Sequence, residues 1–285
     1  MPRRLRDKVL IVTGGSSGIG AATAVEAGRA GMRVVVAARR RDKLEEVAQR
    51  VRTSGGQALA VPTDVGDAWQ VRTMVEAAVA RFGRIDALFA NAGFGHFHRL
   101  LDATDSETES QMWRVNYFGA LECIRAAGAA MVGQGGGGHL LICSSIVGHS
   151  GLAYYGSYAA TKGALHALAC SLRGEMAEHG IHVTAVYPVG TDTEFSQAVR
   201  RTSGGDALRR STPRIFMQSS EHVARRVIAC LRRRRPPPEV WPSRLAHLGA
   251  AIWTLWPRLR TLSFRGQASK ARRILEETDR SSGGS

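Results

Sequence analysis

Short apolar runs alternate along this chain with longer stretches whose apolar positions recur every three or four residues. The runs at 8–13, 33–38, 58–62, 87–90, 140–144 and 181–187 read as strands. The periodic stretches at 18–30, 41–54, 67–82, 109–132 and 157–179 read as helices. The strand runs are nearly continuous in Val, Ile, Leu and Ala, the pattern of strands covered on both faces. Strand–helix alternation of this kind predicts an α/β fold, a doubly wound parallel sheet of about seven strands with helices on both faces. After Tyr187 the rhythm breaks. Residues 191–220 are polar and rich in Gly, Ser and Arg. A basic helix is predicted over 221–235, ended by Pro236, Pro237 and Pro238. Residues 239–241 read as a last strand, 243–256 as an amphipathic helix and 281–285 as a flexible end. No internal repeat is present. The division expected is one domain over 1–242, then a basic helix and tail over 243–285.

Composition narrows the class. The 285 residues are enough for one large domain with a sizeable core, and 44% hydrophobic with 22% charged residues is an ordinary globular balance. The net charge of +15 is unevenly placed. Residues 1–199 hold 20 Lys/Arg against 18 Asp/Glu, whereas 200–285 hold 19 against 6. Any argument for an anionic partner therefore rests on the tail. No specific nucleic-acid partner is expected, since the basic region has neither interleaved aromatics nor a recognised module. The longest apolar stretch, 245–256, is too short to cross a membrane and contains His247. The basic start is followed by an apolar run of only 9–12, too short for an export signal. Cys123, Cys143, Cys170 and Cys230 form no CxxC pair, so reduced thiols and a cytoplasmic location are expected. The nine histidines lack metal-ligand spacing, and no metal is expected. Glu45/Glu46 and Glu107/Glu109 read as helix surfaces.

Two segments carry chemistry. The first strand runs into Thr13-Gly14-Gly15-Ser16-Ser17-Gly18-Ile19-Gly20 and then a helix. Glycines let the backbone approach a pyrophosphate closely, and a helix N-terminus presents N–H groups and positive dipole to it. The spacing Gly-x-x-x-Gly-x-Gly differs from the commoner dinucleotide fingerprint. The second strand ends in Ala38-Arg39-Arg40-Arg41, with no carboxylate for the ribose 2′-OH of NAD. Arg39 instead suits a 2′-phosphate. A charge-assisted hydrogen bond of roughly 1.5–3 kcal/mol would favour NADP(H) over NAD(H) about tenfold to a hundredfold. The second segment is Tyr158-Ala159-Ala160-Thr161-Lys162. Its Tyr and Lys stand four apart on one helix face. A nearby ammonium is expected to lower the phenol's pKa from about 10 toward the working range.

In order and spacing these residues resemble the short-chain dehydrogenase/reductase family over about residues 7–195. The matches are Thr13–Gly20, Asp64-Val65, Asn91-Ala92-Gly93, Asn116, Ser144-Ser145, and Tyr158 with Lys162. The resemblance implies a Rossmann-type domain and an oxidoreductase interconverting a carbonyl and an alcohol. Tyr158 would be the general acid/base. Lys162 would lower its pKa and hold the nicotinamide ribose. Ser145, 13 residues before Tyr158, would bind the substrate oxygen in preference to Ser144. Asn116 would hold a water that relays protons to Lys162. Gly14, Ser16, Ser17, Gly18, Ile19 and Gly20 would line the pyrophosphate. Asp64, with Val65, would contact the adenine, and Asn91, Ala92 and Gly93 the adenosine ribose. Pro188, Thr191 and Thr193 would contact the carboxamide and phosphate, although Val189 stands where Gly is usual. Tyr154 and Tyr155 would line the substrate cleft.

The same resemblance makes about 192–220 a substrate lid. Its Phe195, Ile215, Phe216 and Met217 suggest a hydrophobic substrate, and its arginines read as a solvated basic surface or as contacts to an acyl thioester. Two alternatives to a small-molecule carbonyl reductase stay open: a 3-oxoacyl thioester reductase, and a non-catalytic dinucleotide-binding scaffold. The chain lacks the glycine-rich final strand of the former, and the intact Asn116/Ser145/Tyr158/Lys162 set argues against the latter. For the helix at 243–256, with Leu245, Leu248, Ile252, Trp253, Leu255 and Trp256, two fates are weighed. The apolar face packs on the domain or on a second subunit of a homodimer, or it lies on an anionic membrane.

Overall fold

The structure is a computed structural model that describes residues 2–98, 100–101, 106–191 and 217–256, with positions 258, 261, 266, 268, 269, 272 and 273 beyond them. Seven strands form one parallel sheet: β1 (Val9–Thr13), β2 (Arg33–Ala38), β3 (Gln57–Pro62), β4 (Ala87–Ala90), β5 (Gly138–Cys143), β6 (Ile181–Val186) and β7 (Glu239–Val240). Their order is β3-β2-β1-β4-β5-β6-β7, and every pairing is parallel. The order reverses between β1 and β4, which opens a crevice at the carboxyl ends of the strands.

Helices cover both faces: α1 (Gly18–Arg29), α2 (Arg41–Thr53), α3 (Ala68–Phe82), α4 (Ser106–Trp113), α5 (Ala120–Gly133), α6 (Ile146–Ser150), α7 (Gly156–Ala177), α8 (Ser220–Leu231) and α9 (Arg244–Leu255). Successive strand side chains point to opposite faces, so one apolar run feeds two cores. Val9 and Ile11 of β1 join Met74 of α3, Ile124 of α5 and Leu165 of α7. Leu10 and Val12 join Ala24 of α1, Leu44 of α2 and Val227 of α8. Each fully buried aliphatic side chain contributes about 1.5–3 kcal/mol.

Local signals set the element ends. Asp67 caps α3 through its carboxylate, which accepts from the N–H groups of Trp69 and Gln70, and Gly83 closes the helix at φ 78°. Beneath β4, Asp86 accepts from Lys8 Nζ at 3.0 Å, Val9 N at 2.9 Å and Arg84 Nε at 3.1 Å. Burial is the largest influence on this carboxyl and pushes its pKa up, but the three hydrogen bonds together hold it below the ordinary value.

Three expectations change. The stretch 109–132 is not one regular helix: α4 and α5 are joined by a π-helical turn, Arg114–Gly119. Gly119 lets this wider turn lie against Val65, where an added Cβ would stand 2.7 Å from Val65 Cγ2. The basic helix stops at Leu231 rather than Arg235. Arg3 N takes the Arg232 carbonyl at 2.7 Å, and Pro236 holds the residue before it out of the helical region as the chain turns toward β7. Finally, α9 does not turn its large apolar face onto the domain. It buries Ala246 and Ala250 and leaves Leu248 and Leu255 59% and 69% exposed. Of the expected lid, 192–216 lies outside the described residues, and Ser219 caps α8 by accepting from His222 N.

Candidate active site

The crevice is built from strand ends. Thr13 closes β1, and its Oγ1 accepts from Asn91 N at 3.0 Å and Ala92 N at 3.1 Å. Asn91 Nδ2 donates to Thr13 O at 3.0 Å. Glycine is required where these segments meet. A Cβ on Gly14 would stand 2.8 Å from Ala92 Cα, and one on Gly20 2.3 Å from Gly14 O. Ser17 begins α1 in an extended conformation without a capping side-chain bond, and the first turn holds no acid. The positive end of α1 is therefore left for an anion. An uncapped helix start beside a glycine-rich turn fits a dinucleotide pyrophosphate, with Gly14, Ser16, Ser17, Gly18, Ile19 and Gly20 as the residues that could hold it.

The expected adenosine side is more mixed. Arg39 is exposed, while the adjacent Arg40 reaches the turn and donates to Ser16 Oγ at 3.1 Å. Asp64 Oδ1 accepts from Gly66 N at 2.9 Å and so shapes the entry to α3, with Val65 buried behind it. Gly93 brings the crevice to the catalytic candidates. A Cβ there would stand 3.0 Å from Asn116 Oδ1 and 3.4 Å from Lys162 Nζ.

The four expected catalytic residues converge. Asn116, in the π turn, is fully buried. Its Oδ1 accepts from Phe94 N at 2.9 Å, and its Nδ2 donates to Phe94 O at 2.8 Å and Thr161 Oγ1 at 3.1 Å. Lys162 Nζ donates to Cys143 O at 2.8 Å and lies 5.7 Å from the centre of the Tyr158 ring. The two serines separate by role. Ser144 Oγ is buried and donates to Lys162 O at 2.7 Å. Ser145 caps α6 and hydrogen-bonds the Tyr158 phenol.

One electrostatic expectation is corrected. Burial pushes the Tyr158 phenol well above its ordinary value, and neighbouring Tyr155 and Cys143 add to this. The Ser145 hydrogen bond pulls the other way without reversing it. Burial also pushes the Lys162 ammonium below its ordinary value. Desolvation is thus the largest influence on both groups.

An aromatic wall adjoins Tyr158. Phe97, Met112 and Tyr155 are buried with it, and Phe94, Val147, Leu152 and Tyr154 pack alongside. Tyr154 and Tyr155 both belong to this wall, with the Tyr155 ring 4.9 Å from that of Tyr158. Tyr154 has a left-handed backbone, φ 64°, and its carbonyl accepts from His98 N at 3.0 Å. Glu109 is not simply helix surface. It accepts from Ser157 Oγ at 2.6 Å and pairs with His98 Nε2 at 2.9 Å. This ties α4 to the residue preceding Tyr158, a link that no local spacing signals.

Past β6, Pro188 O accepts from Ile146 N at 3.2 Å. Val189 N donates to Gln218 Oε1 at 3.4 Å, Gln218 N to Gly190 O at 2.8 Å, and Thr191 Oγ1 to Val189 O at 2.8 Å. Gln218 is thus a further residue that sequence reasoning missed; it braces the loop where Val replaces Gly. Thr193 lies outside the described residues.

With this geometry in view, comparison with known proteins places the chain. Residues 8–204 match the short chain dehydrogenase family model. An uncharacterized oxidoreductase of Listeria innocua is 36% identical over 197 residues, 68% of this chain and 79% of that protein. An alcohol dehydrogenase from Thermococcus sibiricus, solved with 5-hydroxy-NADP, superposes with a TM-score of 0.72 at 27% identity, over 82% of this chain and 95% of that one. A short-chain dehydrogenase/reductase from Burkholderia phymatum, solved with NAD, shares the fold, with a TM-score of 0.80 at 23% identity over 90% and 96% of the two chains. The chain belongs to the short-chain dehydrogenase/reductase family. It is an oxidoreductase acting on CH–OH groups, on a fold that binds nicotinamide dinucleotides.

Proposed function

We propose that this protein interconverts a ketone or aldehyde and an alcohol on a hydrophobic small molecule, using NADP(H) in preference to NAD(H). The observation that carries this reading is a buried Tyr158 phenol, hydrogen-bonded to Ser145 and one helical turn from Lys162. When bound, the nicotinamide supplies or accepts the hydride. Ser145 and Tyr158 bind the substrate oxygen, and Tyr158 Oη gives it a proton in reduction or takes one in oxidation. Lys162 holds the ribose, with Asn116 positioning the relay of protons behind it. Pro188, Thr191 and Thr193 are assigned to the carboxamide and phosphate, Asp64 and Val65 to the adenine, and Asn91, Ala92 and Gly93 to its ribose. The aromatic wall beside Tyr158 supports an apolar substrate. Replacing Tyr158 by Phe is expected to abolish turnover and leave dinucleotide affinity within about twofold; unchanged turnover would overturn the mechanism.

Arg39 is assigned to the 2′-phosphate, with Arg40 bracing Ser16. Calorimetric titration is expected to give NADPH binding about tenfold to a hundredfold tighter than NADH, a preference lost in Arg39→Ala. Equal binding of the two would overturn the assignment. Loss of the preference in Arg40→Ala but not in Arg39→Ala would transfer it to Arg40.

The exposed face of α9 supports docking on an anionic lipid surface. Leu245, Leu248, Leu255 and Trp256 are exposed. From residue 240 to 275 the chain has 7 Lys/Arg and no Asp/Glu. A symmetric contact with a second copy would set these like charges against each other, whereas anionic headgroups neutralise them. No described helix is long and apolar enough to cross a membrane. Vesicles containing phosphatidylglycerol are expected to sediment the protein, with phosphatidylcholine vesicles and Leu248→Asp binding much less. Equal binding to both vesicle types, or a dimer abolished by Leu248→Asp, would overturn this.

A further inference from the structure

Three ligand-type side chains meet outside the catalytic set: His149 on α6, His166 on α7 and Glu239 at the start of β7. One donor atom of each lies within 4.8 Å of the others. They are 17 and 73 residues apart along the chain, so no sequence spacing announces them.

Two of the three already carry the kind of partner that orients a metal ligand. His166 Nδ1 is hydrogen-bonded to Tyr187 Oη at 2.5 Å and its Nε2 faces Cys170 Sγ at 3.8 Å, which fixes the ring. Glu239 Oε2 accepts from Trp241 Nε1 at 2.8 Å, which leaves Oε1. The third, His149 Nε2, is buried and has no hydrogen-bond partner among the described residues. The rings around the cluster hold it in place. His149 and His166 have centres 4.2 Å apart, and Tyr187 stacks on Trp241 at 4.4 Å.

We propose that His149, His166 and Glu239 form a binding site for a borderline divalent cation of the Zn2+ type. Two imidazoles and a carboxylate are a donor set for such an ion, and hard cations that demand oxygen ligands are disfavoured. With bonds of about 2.1 Å, tetrahedral donors stand about 3.4 Å apart. The donors must therefore draw in by no more than about 1.4 Å, within reach of side-chain rotation. The site joins α6, capped by Ser145, to α7, which carries Lys162 one turn before His166. A bound ion would clamp these two elements to β7 and act as a positioning device.

The test is titration of the untagged chain with Co2+, followed by visible absorption, with Zn2+ as competitor. One equivalent of Co2+ should give a ligand-field band that Zn2+ abolishes, and Zn2+ should raise Tm. His149→Gln and Glu239→Gln should weaken binding about a hundredfold, and Tyr187→Phe about tenfold. His179→Gln, at an exposed site, should change nothing. Circular dichroism and NADPH titration of each variant establish that it is folded, so loss of metal in a folded His149→Gln supports the site. No saturable Co2+ binding by the wild-type chain, or binding unchanged in His149→Gln, overturns the proposal. Neither outcome bears on turnover, so the site stands or falls separately from the dinucleotide chemistry.

Discussion

Helices α7 and α9 bury opposite things. On α7 the residues turned inward include Tyr158, Thr161 and Lys162, all polar or charged. On α9 they are Ala246 and Ala250, while Leu248, Leu255 and Trp256 face out. The difference is in what meets each helix. Lys162 finds the Cys143 carbonyl, and Thr161 finds Asn116 and the Tyr158 carbonyl. Such hydrogen bonds offset a desolvation that would otherwise cost several kcal/mol. Helix α9 meets α6, and its small residues permit close approach. Hydrophobicity alone would predict neither orientation; each helix presents what its surroundings use.

This contrast can be attacked at several points. The largest effect is expected on α7. Lys162→Met keeps the stem and removes the charge, and should lower kcat about a thousandfold with the circular dichroism spectrum intact; a loss under tenfold would mean the buried ammonium is dispensable. Next comes acid sensitivity. His139 on β5, on the face of the sheet opposite α7, is buried against Thr184 at 2.9 Å, and burial pushes its pKa down to about 3. The unfolded imidazole takes a proton near pH 6.5, whereas the folded one resists it. Stability from this group is therefore complete above about pH 6.5 and drains away as pH falls toward the folded value, by a few kcal/mol in all. Urea unfolding from pH 7.5 to 4 measures this, and His139→Leu should flatten the profile. A third effect tests the inversion itself. Ala250→Leu overpacks the inner face of α9 and should cost about 1–3 kcal/mol. The smallest is its counterpart: Leu248→Ala, on the outer face, should stay within about 0.5 kcal/mol. Reversed costs for this pair would mean that α9 is rotated in solution.

The fold was largely readable because one apolar run can satisfy two cores only as a covered parallel strand. β1 illustrates this, with Ile11 on one side and Val12 on the other. Tyr158 and Lys162 were readable because helical spacing alone puts them on one face. Three features were not. The π turn around Asn116 changes the backbone period without changing the apolar pattern, and the close fit of Gly119 to Val65 that accompanies it is tertiary. The outward face of α9 depends on neighbours, since the same periodicity serves a helix packed either way. The upward push on the Tyr158 phenol comes from burial, which the sequence does not reveal.

The strand order β3-β2-β1-β4-β5-β6-β7 also bears on how the chain is made. The first strand synthesised lies inside the sheet. The second and third add outward on one side of it, and the fourth to the seventh add outward on the other. Each strand leaving the ribosome therefore meets a partner already completed, and none has to wait for a later segment or insert between two earlier ones. Assembly can follow the direction of translation. Just before β7 completes the sheet, α8 brings the Arg232 carbonyl to Arg3 N and ties this late segment to the first residues of the fold.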